Sequence, residues 1–147
     1  PSDTFGRALA AGDFDADGDD DLAIGVPYDT ISGAAGAGGV IVIEGAFGGL
    51  TDVGSVALHQ STSDVGSTAE AGDLFGYRLR VADYDGDGHA DLAVAVPFED
   101  GGLADVGVVH VFFGDAEGVE VSGSDLWSIE RWAGAAEAVG NRFGLGL

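Results

Sequence analysis

Two stretches of this chain place carboxylates at every second residue. Asp13, Asp15, Asp17 and Asp21 occupy positions 1, 3, 5 and 9 of one loop, and Asp83, Asp85, Asp87 and Asp91 the same positions of another, with Gly18 and Gly88 at position 6. This spacing suits a hard divalent cation. Calcium takes about six to eight oxygen ligands at ~2.3–2.6 Å, and alternate carboxylates on a tightly curled loop can converge on one point, the glycine permitting the turn. The backbone carbonyl of position 7, Asp19 or His89, supplies another oxygen whichever side chain stands there. An EF-hand needs a bidentate glutamate at position 12, but those positions are Ile24 and Val94. The expected site is instead a loop joining two strands of a hairpin, closed by Asp21 or Asp91. Magnesium, which keeps several waters, suits such a cage less well. As ordinary solvent-facing turn residues, four acids within nine positions would repel one another in both loops, and a cation relieves that. The expected ligands of two calcium ions are therefore Asp13, Asp15, Asp17, Asp19, Asp21, Asp83, Asp85, Asp87, His89 and Asp91, with Asp19 and His89 acting through backbone oxygen.

The elements that must position these loops emerge when the chain is slid along itself by 70 residues. Phe5-Gly6 then falls on Phe75-Gly76, Leu9 on Leu79, Asp21-Leu22-Ala23 on Asp91-Leu92-Ala93, and Val26-Pro27 on Val96-Pro97. The offset becomes 69 for Gly45 against Gly114 and 68 for Phe75 against Phe143, which places length changes in connections, as stacked units require. Each unit reads as strand, Asp loop, strand, loop, strand, turn, strand. The first strands are expected near Arg7 to Gly12 and Tyr77 to Ala82. The second, near Leu22 to Val26 and Leu92 to Val96, are continuously apolar and so buried on both faces, until Pro27 and Pro97 end them. The third strands are expected at Val40 to Ile43 and Val108 to Phe113, and weaker, more polar edge strands near Ser55 to His59 and Leu126 to Arg131. The fold class is all-β, with β-propeller blades of four antiparallel strands: two blades plus the first strand of a third. The units are residues 1–72, 73–140 and 141–147, the last opening a third repeat at Phe143-Gly144.

Composition narrows the function. Of 147 residues, 26 are acidic, five are arginine and none is lysine, giving a formal charge of −21 that repels nucleic acid. Ten of the 26 acids lie in the two loops. The 27 glycines favour turns and short strands, and the absence of cysteine excludes disulfides and thiolate metal sites. No apolar run approaches the ~18–20 residues needed to span a bilayer. A chain that starts at Pro1 and contains no methionine is expected to be a processed product or an excerpt.

The run from Phe75 to Pro97, followed by Gly107 to Gly114, resembles the FG-GAP repeat of integrin α-subunit propellers and many secreted bacterial proteins. Phe5 to Pro27 and Gly39 to Ile43 match almost as well, with valine in both copies where the family name has alanine. The resemblance implies a four-stranded blade with calcium in the loop between its first two strands, an extracellular or cell-surface setting, and roles in adhesion or ligand binding. Arg-Gly-Asp and Asp-x-Ser-x-Ser are absent, so integrin-type ligand recognition is not supported.

Other features carry less. Gly33 to Gly39 is expected as a mobile connection, since no helix pattern follows it. Phe5, Phe75 and Phe143, one per unit, read as packing between blades. His59, His89 and His110 stand at unrelated repeat positions and are assigned no catalytic role, and Trp127 and Trp132 read as edge packing. The expected function is a calcium-binding, non-enzymatic propeller segment of a secreted or cell-surface protein, structural, adhesive or ligand-binding. Its expected partners are further blades and an extracellular protein or glycan ligand. The alternatives are a propeller domain of an extracellular polysaccharide- or lipid-acting enzyme, or a building block of a multi-chain ring or fibre.

Overall fold

A computed structural model describes residues 3–100, 104–122, 124–129 and 140–147. The first unit forms a four-stranded antiparallel meander, β1 (Ala8–Gly12), β2 (Asp21–Val26), β3 (Gly39–Glu44) and β4 (Thr51–Leu58). The second repeats it with β5 (Arg78–Ala82), β6 (Asp91–Val96), β7 (Val108–Phe112) and β10 (Asp125–Ser128). These sheets are β-propeller blades. A small hairpin, β8 (Gly114–Asp115) with β9 (Gly118–Val119), sits between β7 and β10. It was not expected, because two-residue strands leave no periodic signature.

The second strands behave as their apolar runs require. β6 is buried at every residue and β2 at all but Leu22, so side chains on both faces of these central strands meet apolar neighbours. The fourth strand begins earlier than expected, at Thr51, because a register shift between Val42 and Glu44 lets Thr51 pair with Glu44. Its counterpart likewise starts at Asp125 and runs to Ser128, with Ile129 already out of the expected strand; Glu130, Arg131 and Trp132 lie outside the described residues.

The two blades share one apolar core, in which Ala23, Val40 and Val42 of the first meet Phe75, Leu79 and Leu92 of the second. Their inner strands approach closely. A methyl group on Gly25 would lie 2.2 Å from the Gly76 carbonyl, and one on Gly12 would lie 2.4 Å from Val81 Cγ1.

The Phe-Gly motif is the connector between blades. Leu74 and Phe75 donate their N–H groups to the carbonyls of Gly36 (3.1 Å) and Ala37 (2.8 Å), and Phe75 is fully buried. The Gly33 to Gly39 segment, expected to be mobile, is thus the dock for the next blade, and paired Ile31–Ala34 bonds hold it further. The arrangement repeats on blade 2, where Arg142 and Phe143 donate to Asp105 (3.1 Å) and Val106 (2.8 Å). Thr4, Leu74 and Arg142, each just ahead of a Phe-Gly, all adopt positive φ (54°, 62° and 52°). Residues 140–147 form turns rather than the expected opening strand, because the motif precedes its strand: in blade 2, Phe75-Gly76 comes ahead of β5.

The linker between blades is secured by His110 on β7. Its ring is buried between Phe75 and Phe112, with Nε2 3.0 Å from Ser67 Oγ and Nδ1 3.3 Å from Ser124 Oγ. Burial pushes its pKa down from 6.5 to about 4. A depressed folded-state pKa gives stability that is complete above 6.5 and is lost as pH falls toward 4, worth roughly 3 kcal/mol in all. Glu99 opposes this: burial, then the nearby Asp73 charge, raises its pKa to about 7, so its protonation favours the fold as pH falls.

Two outcomes are expected. Phe75→Ala should destabilise the chain by about 3–5 kcal/mol in denaturant melts, the range for emptying a large aromatic site. Between pH 6.5 and 4 the wild type should lose more stability than His110→Asn, a difference of slopes that isolates the histidine from Glu99.

Candidate metal centre

Both Asp loops connect the first and second strands of their blades and lie at the same end of the pair. Ala90, next to last in the second loop, donates its N–H to the Asp13 carbonyl that opens the first (3.0 Å). Gly18 and Gly88 both adopt φ of +100°, the left-handed turn that position 6 demands and that a side chain would strain.

Within each loop the carboxylates first fold the backbone. Asp17 donates its N–H to Asp13 Oδ1 and Asp15 Oδ1, both at 3.0 Å, and Gly18 donates to Asp13 Oδ2 at 3.0 Å. In the second loop Gly86 and Gly88 donate to Asp83, at 2.6 and 3.2 Å, and Asp87 donates to Asp85 at 3.1 Å. Position 5 of each loop accepts from position 7, Asp17 from Asp19 and Asp87 from His89, both at 2.8 Å.

The carboxylate at position 9 differs from the rest. Asp21 is buried and accepts at both oxygens, from Phe14 N–H (2.9 Å) and Gly45 N–H (2.7 Å). Asp91 does the same with Tyr84 N–H (2.6 Å) and Gly114 N–H (2.9 Å). Each ties its loop to the exit of its blade's third strand, Gly45 directly after β3 and Gly114 one residue further on, at the start of β8. No side chain fits there: a methyl group on Gly45 would lie 2.6 Å from the Asp20 carbonyl, and one on Gly114 2.3 Å from the Ala90 carbonyl.

The donor set fits a hard cation. One carboxylate oxygen from each of Asp13, Asp15 and Asp17 falls within 4.8 Å of the others, and the same holds for Asp83, Asp85 and Asp91. All are oxygen donors, as calcium prefers. The loops are not identical in what they gather. Asp21 stands outside the first trio and Asp87 outside the second, the latter also meeting His89 Nδ1 at 3.2 Å. Of the position-7 residues, Asp19 has its carbonyl on the Gly45 side, 2.9 Å from where a methyl group there would lie.

Electrostatics follows the crowding. Burial, with repulsion from Asp17 and Asp21, holds Asp15 above the usual carboxylate range despite the N–H of Asp17. Asp87 is held below that range, chiefly by the His89 N–H. Glu44, the last residue of β3, was not expected in the site. Burial, then the charges of Asp21 and Asp15, raises its pKa to about 7. Only the third dimension brings it there, 23 residues from Asp21 along the chain.

Tandem four-stranded blades, each with an acidic loop between its first two strands, define a class of repeat propeller. The model of the FG-GAP repeat matches residues 5–43 and 75–112, just over half of the chain, and the chain belongs to this family. It is 36% identical to phosphatidylinositol-glycan-specific phospholipase D of Rattus norvegicus over 113 residues, 77% of this chain and 13% of that protein. The Homo sapiens phospholipase is 31% identical across the whole chain, over 16% of its own length. Integrin alpha-PS2 of Drosophila melanogaster is 32% identical over 86% of this chain and 9% of the integrin. The chain therefore spans less than a fifth of each of these relatives.

The geometry separates two roles for the acids. With cations chelated, Asp21→Asn or Asp91→Asn should still cost about 1–3 kcal/mol in denaturant melts, since an amide leaves one buried N–H without its acceptor. Asp17→Asn and Asp85→Asn should cost little under the same conditions, because they relieve repulsion.

Proposed function

We propose that this chain is a calcium-stabilised, non-enzymatic segment of an extracellular or cell-surface propeller, serving as scaffold for adhesion or ligand binding. The observation that carries the reading is the convergence of carboxylate oxygens in both loops, at one end of adjacent blades. Each ion would be held by the aspartates at positions 1, 3, 5 and 9, namely Asp13, Asp15, Asp17 and Asp21, or Asp83, Asp85, Asp87 and Asp91, with the Asp19 or His89 carbonyl completing the set. When bound, calcium supplies charge neutralisation and a crosslink between first and second strands. The loops hold it, and the position-9 latches pass its stabilisation to the third strands.

The repeating units are residues 1–72 and 73–140, with 141–147 opening a third. The partners are further blades. Tyr84 supports this, being half exposed where its counterpart Phe14 is fully buried beneath the next blade. Tyr84, Val109, Trp127 and Phe143 line an open apolar hollow of about 460 Å³ on that face. Among the described residues no helix is long and apolar enough to cross a membrane.

A second reading is favoured by the likeness to the phospholipase relatives: the same blades as the propeller part of a lipid-acting extracellular enzyme. Activity lost on carboxylate changes outside the loops would favour it.

Calcium at micromolar to millimolar concentration should raise the melting temperature by several degrees, and chelation should reverse the gain. Differential scanning calorimetry checks this. Identical melts with and without chelator would overturn the calcium reading.

A further inference from the structure

We infer that Arg7, Tyr77 and Arg78 form a binding site for a small oxyanion, a phosphate or carboxylate group, at the end of the blades opposite the Asp loops. The site needs no cation and does not rest on the calcium reading.

The repeat brings these residues together. Arg7 and Tyr77 hold equivalent positions, each directly after a Phe-Gly and just ahead of β1 or β5, whereas the Asp loops follow the far ends of the same strands. Because β1 and β5 run side by side, the blade 1 arginine reaches the blade 2 tyrosine. Arg7 Nη2 donates to Tyr77 Oη at 3.2 Å, and its guanidinium carbon lies 4.7 Å from the ring centroid. Arg78 lies over the same ring at 5.1 Å, with Nη1 3.5 Å from the Tyr77 carbonyl. Two residues on, Arg80 shares the Arg78 face of β5. Blade 1 has Ala8 and Ala10 at those two positions, so the basic stripe belongs to blade 2 alone.

Three of the chain's five arginines thus gather on two adjacent edge strands. Two like charges held on one ring repel each other, and a cation–π contact attracts each without neutralising it. Yet among the described residues none of the three forms an ion pair, in a chain with 26 acids. The loop acids are too distant to serve. β1 and β5 are each five residues long, which sets the loops roughly 17 Å away, about two Debye lengths at physiological salt.

What the patch lacks is an oxyanion. A guanidinium carries five N–H donors in a planar fork that matches phosphate or carboxylate oxygens, and Tyr77 engages one from each arginine. The ring holds both forks, so an anion between them meets donors already oriented. Arg7 and Arg80 are exposed and Arg78 and Tyr77 half-buried, which leaves the forks open to a ligand from solvent.

Titration calorimetry of the full chain with inorganic phosphate, in chelator and at constant ionic strength, tests this. One saturable site is expected. Arg7→Gln and Arg78→Gln should each weaken it by about tenfold or more, through loss of charge-assisted hydrogen bonds. Arg142→Gln removes the same charge from the Phe98 ring, where the guanidinium lies 4.7 Å from the centroid, and should leave binding unchanged. Tyr77→Phe keeps the ring but releases the Arg7 fork; it should give a smaller loss and serves where a glutamine variant folds poorly. Acetate in place of phosphate separates the sources: tighter phosphate binding assigns a phosphate-bearing ligand, tighter acetate binding a carboxylate-bearing one, and either supports the site. No saturable binding of either anion, or equal weakening by Arg142→Gln, would overturn it.

Discussion

The rest of this structure depends on a buried carboxylate that accepts two backbone hydrogen bonds. Asp21 receives Phe14 and Gly45, and Asp91 receives Tyr84 and Gly114, so each acid binds the start of its loop and the exit of its third strand at once. An ionised carboxylate is costly to bury alone, but N–H groups aimed at it stabilise the charge, and such bonds are stronger than neutral ones. Once position 9 is fixed, the preceding residues must curl back over a short path. That path brings positions 1 and 3 together in both loops. The latch needs no cation for its own hydrogen bonds, yet it determines where the other loop carboxylates stand.

Blade-to-blade packing rests on a second constraint, the offset between sequence repeat and structural unit. Phe75-Gly76 and Phe143-Gly144 each head a repeat, yet their phenylalanines hydrogen-bond to the third-strand approach of the blade before. The consequence is visible in burial. Phe75 has a preceding blade and is fully buried, whereas Phe5 has none among the described residues and is 64% exposed. Phe14 and Tyr84 show the reverse dependence, on the blade that follows. Neighbouring blades are thus stitched in both directions, by the aromatic of the motif on one side and by the aromatic at loop position 2 on the other.

What is legible in the sequence follows from how local each interaction is. The loops were readable because their turn bonds span two to five residues, so spacing and backbone geometry coincide. The central strands were readable because burial on both faces requires an unbroken apolar run, as in Leu92 to Val96. The latch was only half readable. Asp21 stood out as a closing acid, but its bond to Gly45 crosses 24 residues, and a lone glycine gives no sign that its N–H is claimed. The Gly33 to Gly39 stretch misled for a related reason: its composition suggests freedom, while the strand-like bonds from Leu74 and Phe75 that remove that freedom come from the next repeat.

The repeats also diverge where their surroundings diverge. The first loop lies beside the second, which donates Ala90 N–H to Asp13 and sets Gly118 against Glu44. Enclosure between blades lowers solvent screening, so each added charge there perturbs its neighbours more strongly than on an open surface. The second loop is more exposed, its Asp83 and Asp85 facing solvent where Asp13 and Asp15 are half-buried. A glutamate at the end of β3 and a phenylalanine at the equivalent place in blade 2 accord with those settings: Glu44 packs against the blade 2 hairpin at Gly118, and Phe113 lines the open apolar hollow. Tandem repetition supplies the frame, and position along the stack decides which residue each equivalent site can use.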